Sequence, residues 1–252
     1  MFNGIGLFAF CCIFGAGVVG LLLQKLLPAS QRTDATQRMV QTTMNVVAIL
    51  SALVLGLLIA STKTSFDTRS KEIEEFSANL TLLDRELLHF GTEQADMRAL
   101  LRDFTAGKLA QTWPAERGSL PAQEHAQTVK MLGDLEDRLR AFTPQTEVQR
   151  AARTSALQLA GDLKRTSRLL MVQESSQTPR SFLTVVVFWL SLLFLSFAIF
   201  APFNATVLAA IIAGAFSVSM AVNLIFDMDH PFEGFIRVSP APMQQAFEKM
   251  KP

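Results

Sequence analysis

Only two cysteines occur in the 252 residues, and they are neighbours, Cys11 and Cys12, inside an apolar run. Adjacent thiols cannot tie distant parts of a chain together, so a disulfide framework is excluded and both read as packed or lipid-facing side chains. The three histidines, His89, His125 and His230, stand far apart with no cysteine beside them, which speaks against a zinc site. The formal net charge is +1, so the chain lacks the bulk electrostatic footprint of a nucleic-acid binder. No phosphate loop, dinucleotide-binding glycine set, HExxH or nucleophile–base pair is present, so neither catalysis nor a cofactor is expected. Serines do lie inside the apolar runs (Ser51, Ser191, Ser196, Ser217 and Ser219), but no histidine or carboxylate shares those segments. They read as packing or intrahelical hydrogen-bonding groups. No internal repeat is visible.

What is present is apolar and blocky. Half of the residues are hydrophobic, and they lie in long runs rather than at regular intervals. Residues 4–27 form the first block. Nothing basic precedes it and it runs to Lys25 without a small-residue cleavage site, so it is read as a retained span rather than a removable signal. Ala16 and Gly20 are four apart, with Gly17 on nearly the same face, a pattern that lets a neighbouring helix come close but that spans also carry without a partner. A polar loop over 28–43 leads to a second, charge-free span at about 44–61. The third block begins at Ser181 after Pro179 and the fourth runs from Ala205 to Phe226. Only Ala201 to Asn204 separates them, so they form an antiparallel hairpin.

Four crossings put the N-terminus, the region 62–180 and the tail on one side. Near the span ends that side carries Lys63, Arg69, Lys71, Lys164, Arg165, Arg168, Arg180 and Arg237, against Lys25, Arg32 and Arg38 on the other. The richer side is expected to be cytoplasmic.

The second span continues without a break into a polar helix. Between Met44 and Phe90 there is no proline and one glycine, Gly56. Beyond the span, Phe66, Ile73, Phe76, Leu80, Leu83, Leu87 and Phe90 recur at steps of three, four and seven, a helical seam that must bury against something. Gly91 is expected to end this helix and Thr92 to cap the next, with Met97, Leu100, Leu101, Phe104 and Leu109 inward. Pro114, Gly118 and Pro121 mark a loop. A further helix carries Val129, Leu132, Leu135, Leu139 and Phe142, and a last one starts at Thr143-Pro144 and turns Val148, Ala152, Leu159, Leu163 and Leu170 inward. No stretch alternates as a strand. The tail reads as a turn-rich strap with a short helix from Pro242. The expected fold is an all-α integral membrane protein: spans one and two in 1–61, a cytosolic helical bundle over 62–180, a transmembrane hairpin over 181–228 and a cytosolic tail over 229–252.

Charge is missing from the middle of every span. Ion-coupled pumps and transporters keep ionisable groups at depth because such costly groups survive only where they work. Here the strongest polar groups are Asn45 and Asn223, near span ends, and no glycine-broken half-helices appear. A passive pore remains open as a reading. Ile49, Leu53 and Leu57 are four apart on span two, and copies around an axis would stack them into three apolar rings that could gate by dewetting. The same spacing also suits residues facing lipid or a neighbouring helix. Asp67 and Arg69, where the helix leaves the apolar segment, read as a solvated pair or as a fixed junction. Asp227, Asp229, His230 and Glu233 follow span four and could offer oxygen ligands to a cation, or be merely hydrated; they lack EF-hand spacing.

Three segments carry a resemblance: VLGLLIASTKTSFDTRSKEIEEF, SFLTVVVFWLSLLFLSFAIFAPFNATV and DMDHPFEGFIRVSPAPM. With the four-span layout they resemble the bacterial bestrophin-like membrane proteins, and more remotely they are similar to the bestrophin anion channels. That resemblance implies a homopentamer in the bacterial inner membrane around one central pore, with both termini cytoplasmic and a helical vestibule below. It places the neck of the pore at Ile49, Leu53 and Leu57. It matches the bestrophin Tyr-Asp-Arg-Trp junction to Phe66 and Asp67, with Arg69 displaced by one and the tryptophan missing. It matches the Asp-Pro-Phe-Gly exit to Asp229, His230, Pro231 and Phe232, with Gly234 one place late. The acidic run of calcium-activated members is replaced by Phe235, Ile236, Arg237 and Val238, so calcium gating is not implied. Two functions follow from the sequence: an oligomeric channel for small ions, chiefly anions such as chloride, or a non-conducting scaffold or sensor whose cytosolic helices bind partners.

Overall fold

The structure, a computed structural model, describes residues 4–26, 28, 33–113, 122–174, 180–232, 234 and 236–250. Arg32, the loop expected at Pro114, Gly118 and Pro121, and Pro179, Glu233 and Phe235 lie outside the described residues, as does the side chain of Val129. The described residues form α-helices joined by short turns, with no strand among them. The chain divides into two compact units. The first comprises Met1–Ser65, Thr178–His230 and Gly234–Ile236; the second comprises Phe66–Gln177, Pro231–Glu233 and Arg237–Pro252.

The first unit holds α1 (Gly4–Leu26), the opening part of α2 (Asp34–Leu87), α6 (Arg180–Phe200) and α7 (Ala205–Asp229). Each of these four helices contains a window long and apolar enough to cross a membrane. Helix α1 packs against both α6 and α7. One cluster joins Ala9, Val187 and Val222, and another joins Leu21, Ala198 and Ile211. Glycine makes this closeness possible. A Cβ on Gly20 would lie 2.5 Å from the Leu195 carbonyl oxygen and 2.7 Å from the Ala198 Cβ, and one on Gly17 would lie 2.7 Å from Ile211. Without hydrophobic force between spans, such backbone approach supplies the van der Waals contact that holds them. Asn204 caps α7 by accepting a hydrogen bond from the Val207 N–H at 2.8 Å. Ser51, Ser191, Ser217 and Ser219 each donate to the carbonyl four residues back, as intrahelical groups do.

The second unit takes the rest of α2, then a 3-10 turn (Leu88–Glu93), α3 (Gln94–Thr112), α4 (Ala122–Ala141), α5 (Glu147–Glu174) and α8 (Ala241–Lys249). Its core gathers the seam of α2 from Ile73 to Leu87 and Phe90 of the 3-10 turn with Met97, Leu101, Phe104, Leu109, Trp113, Leu132, Leu135, Leu139 and Leu163. At roughly 1.5–3 kcal/mol for each large apolar side chain removed from water, this seam is what makes the polar half of α2 a stable helix. Gly91, at φ 64°, turns the chain where a residue with a Cβ would be strained. Asp84 on α2 accepts two hydrogen bonds from Arg98 on α3, at 2.7 and 3.2 Å. Arg153 reaches back to the Leu139 and Arg140 carbonyls and so satisfies the C-terminal end of α4. Lys164 donates to Glu136 at 2.9 Å, and this bond holds the Glu136 carboxyl below its usual range.

Four local expectations need correction. The stretch 34–43 is helix rather than loop, because Thr33 accepts from the Thr36 N–H and Asp34 sits in the first turn, where the helix dipole favours a carboxylate. The residue that precedes α3 is Glu93 rather than Thr92, and it makes no side-chain cap. Helix α5 starts at Glu147, where the Thr146 hydroxyl accepts from the Gln149 N–H, so Thr143 and Pro144 belong to the connection. Val148 is 60% exposed, since the inward face of α5 is set by Ala152, Ala156, Ala160 and Leu163 and Val148 lies toward its edge.

Candidate functional site

Nothing interrupts α2. It runs for 54 residues with no proline, and Gly56 is its only glycine. In its opening part the residues that turn inward are few and small: Ser51 and Thr62 are buried, and the Thr62 hydroxyl donates to the Leu58 and Ile59 carbonyls. The opposite side carries Ile49, Leu53 and Leu57, which are 69%, 59% and 62% exposed. Only 6% of the apolar window of α2 is buried within the chain, against 33%, 28% and 22% for the windows of α1, α6 and α7. Three spans therefore pack on one another, while among the described residues nothing covers the apolar side of α2.

The junction residues follow in the second unit. Phe66 packs against that unit's core, Asp67 is half-buried and Arg69 is buried, and none of the three is without a partner. At the exit, α7 runs three residues past the expected span end, so Asp227 and Asp229 stand inside the helix. Asp227 is buried and accepts a long hydrogen bond, 3.4 Å, from Asn223 one turn earlier. Asn45, the other polar group singled out, is exposed. The His230 Nδ1 meets the Phe226 carbonyl at 3.0 Å, and its ring lies 4.2 Å from that of Phe226. In the second unit Pro231 is buried and its carbonyl accepts from the Val238 N–H at 2.7 Å. Phe232 sits edge-on to Trp113 at 5.6 Å, and the Trp113 indole donates to the Val238 carbonyl at 3.0 Å. Gly234, in the first unit, has φ 85°, a conformation that favours glycine. Among the described residues no group of three or more histidines, cysteines and carboxylates could hold a metal ion, and Glu233 is not among them.

The pattern of a polar, strapped helical unit and an uncovered apolar span has a counterpart among known proteins. The model of the bestrophin-like domain matches residues 11–243. The chain belongs to the bestrophin-like family. Among solved structures, a bacterial bestrophin homologue from Klebsiella pneumoniae superposes with a TM-score of 0.63 at 12% identity, covering 97% of this chain and 96% of that one. A point mutant of the same homologue gives 0.63 at 11% identity, with 97% and 98% covered. At such identities the likeness concerns the fold, and it extends over the whole length of both chains. No curated protein sequence matches. Membership of this family supports a channel kind of function in a membrane.

The residues that sequence reasoning missed are those before the start of the second span. Arg38 and Thr42 were assigned to a loop, yet they stand on the first turns of α2, both exposed. The signal was present in Thr33 followed by Asp34 and in the lack of any helix breaker after them.

Proposed function

We infer that this bestrophin-like protein is an oligomeric ion channel of the bacterial inner membrane, passing small anions such as chloride through one axial pore. Several copies, five by family analogy, surround the axis with α2 innermost. Ile49, Leu53 and Leu57 form the neck, and both termini, the second unit and the tail lie in the cytoplasm. The observation that carries this reading is the apolar, charge-free window of α2 whose side bearing Ile49, Leu53 and Leu57 is left open by the described residues of its chain. Residues four apart rise about 6 Å, so equivalent residues from each copy make three stacked rings. Such rings offer water no hydrogen bonds, and a narrow passage lined by them empties readily; small changes in radius then switch conduction. Phe66, Asp67 and Arg69 fix the helix where the apolar segment ends. The turn from Asp229 through Pro231 and Phe232 to Gly234 ties the chain leaving α7 to the strap, and no ion is assigned to Asp227, Asp229 and Glu233.

The test combines assembly and flux. Purified protein is expected to run as a closed oligomer of several copies and to carry halide across liposome walls. Leu53→Ala is expected to widen and wet the middle ring and raise the flux several-fold. A monomer or dimer that stays sealed, in both the parent protein and the Leu53→Ala variant, would leave only a scaffold whose helices bind partners. Unchanged flux in alanine variants at all three neck positions of a conducting protein would place the constriction elsewhere.

A further inference from the structure

The start of α2 at Asp34 changes what stands above the neck. From Arg38 to Ile49 is eleven residues, which at about 100° each is three turns and roughly 20° more, so the two nearly eclipse one another along the helix. Thr42 falls between them on the same side, and Leu53 and Leu57 continue it. Arg38, Thr42, Ile49, Leu53 and Leu57 are all exposed, and this is the side opposite buried Ser51 and Thr62. Along the axis Arg38 stands about 16 Å before the first neck residue. No ion pair or side-chain hydrogen bond ties its guanidinium to another described residue. Among the described residues, which do not include Arg32, few charged groups share this end of the helix. Asp34 lies one turn further out, on the side of Arg38 away from the neck, and makes no ion pair with it. Lys25, on α1, is engaged over the Phe203 ring at 5.1 Å.

We propose that Arg38 sets the charge preference of this channel, forming with its copies a ring of guanidinium groups at the outer mouth that concentrates anions above the apolar neck. The proposal rests on α2 lining the pore as described above. An apolar neck has no charge of its own with which to choose between anion and cation. For ions entering from the outer side, Arg38 is the last fixed charge among the described residues before the neck, with Lys63 standing past its other end, so Arg38 weights which ion is at hand when the neck is wet. Asp34 opposes this field from about 6 Å further away, close to one screening length at physiological salt, so its influence at the neck is the weaker. Such a field acts on local ion concentration and fades with ionic strength.

The experiment measures chloride and potassium permeation through the full-length protein in liposomes or planar bilayers, for the parent, Arg38→Gln, Arg38→Glu and Leu53→Ala. At about 20 mM salt, Arg38→Gln is expected to lower chloride flux about threefold and Arg38→Glu about tenfold, with reversal potentials moving toward potassium. At about 1 M salt the differences should shrink to less than about twofold, because the screening length falls to roughly 3 Å. If either substitution disturbs assembly, Arg38→Cys in a Cys11→Ser, Cys12→Ser protein supplies the comparison within one folded species. Coupling a cationic thiol reagent should raise low-salt chloride flux, and an anionic one should reduce it. Parent-like reversal potentials and low-salt flux in all these forms of a conducting protein, with Leu53→Ala still raising flux, overturn the role of Arg38 and leave the pore intact. A protein that conducts in no form removes the pore and this role with it.

Discussion

Arg98 is a polar side chain whose loss should be felt in the second unit. It holds Asp84 with two parallel hydrogen bonds, and the Asp84 side chain is only 9% exposed against 24% for Arg98. Removing one partner of such a pair leaves the other desolvated and unmatched. Arg98→Ala is expected to cost about 2–3 kcal/mol. Replacing both, as Asp84→Leu with Arg98→Met, should restore much of that. Thermal unfolding read from Trp113 emission in a Trp189→Phe background checks both. Glu136 gives a pH signature with a definite sign. Its carboxyl is held down first by the hydrogen bond from Lys164, while burial pulls the other way. Stability from this pair is complete above the ordinary glutamate value, about 4.3, and is lost as pH falls through the lower folded value. Lys164 is 42% exposed, so the effect is less than about 1 kcal/mol. A Glu136→Gln variant should therefore be less stable at neutral pH and should lose less on acidification from pH about 5 to 3, measured by the same unfolding. Neither pair could be read from the chain, since fourteen and twenty-eight residues separate the partners. The α5 face was misjudged at Val148 for a related reason: alanines at 152, 156 and 160 define it, and small residues carry little signal of burial.

Helices were legible where their chemistry was one-sided. The spans announced themselves by length and lack of charge, and the seam of α2 by its period, so all of Ile73, Phe76, Leu80, Leu83, Leu87 and Phe90 are buried as expected. Boundaries were less legible. The first ten residues of α2 are mostly polar and so resembled a loop, although polar residues without proline or glycine lengthen a helix as readily as they leave one. The short steps between Ala16, Gly17 and Gly20 showed that a neighbour could approach but not which one; Gly20 meets α6 and Gly17 meets α7. This gives an element-scale prediction. Gly20→Val should cost about 1–3 kcal/mol, because the atom it strikes is a backbone carbonyl that cannot swing aside. Gly15→Ala on the same helix, where a Cβ meets nothing within 4 Å, should be neutral or stabilising. Monodispersity after graded heating in detergent separates the two.

At the scale of the whole molecule, the fold was readable because four uncharged runs and one periodic soluble stretch allow few arrangements, and the family match over residues 11–243 agrees with that outline. What covers the open side of α2 was not readable, because a membrane segment is apolar whether it faces lipid or a line of water. Only the contrast between 6% and the 22–33% burial of the other windows singles it out. The expected rise in flux for Leu53→Ala belongs here, since it needs several copies to be visible at all.

The glycine contact between α1 and α6 has a mechanical corollary. Helices that touch backbone to backbone slide and tilt only at the expense of hard-core repulsion, so α1, α6 and α7 behave as a stiff frame. The compliance of the intramembrane part is thereby left to α2, the one crossing with no such clamp. A rocking of α2 by a degree or two against that frame would change the radius of the bore proposed at Ile49, Leu53 and Leu57 without unpacking anything else.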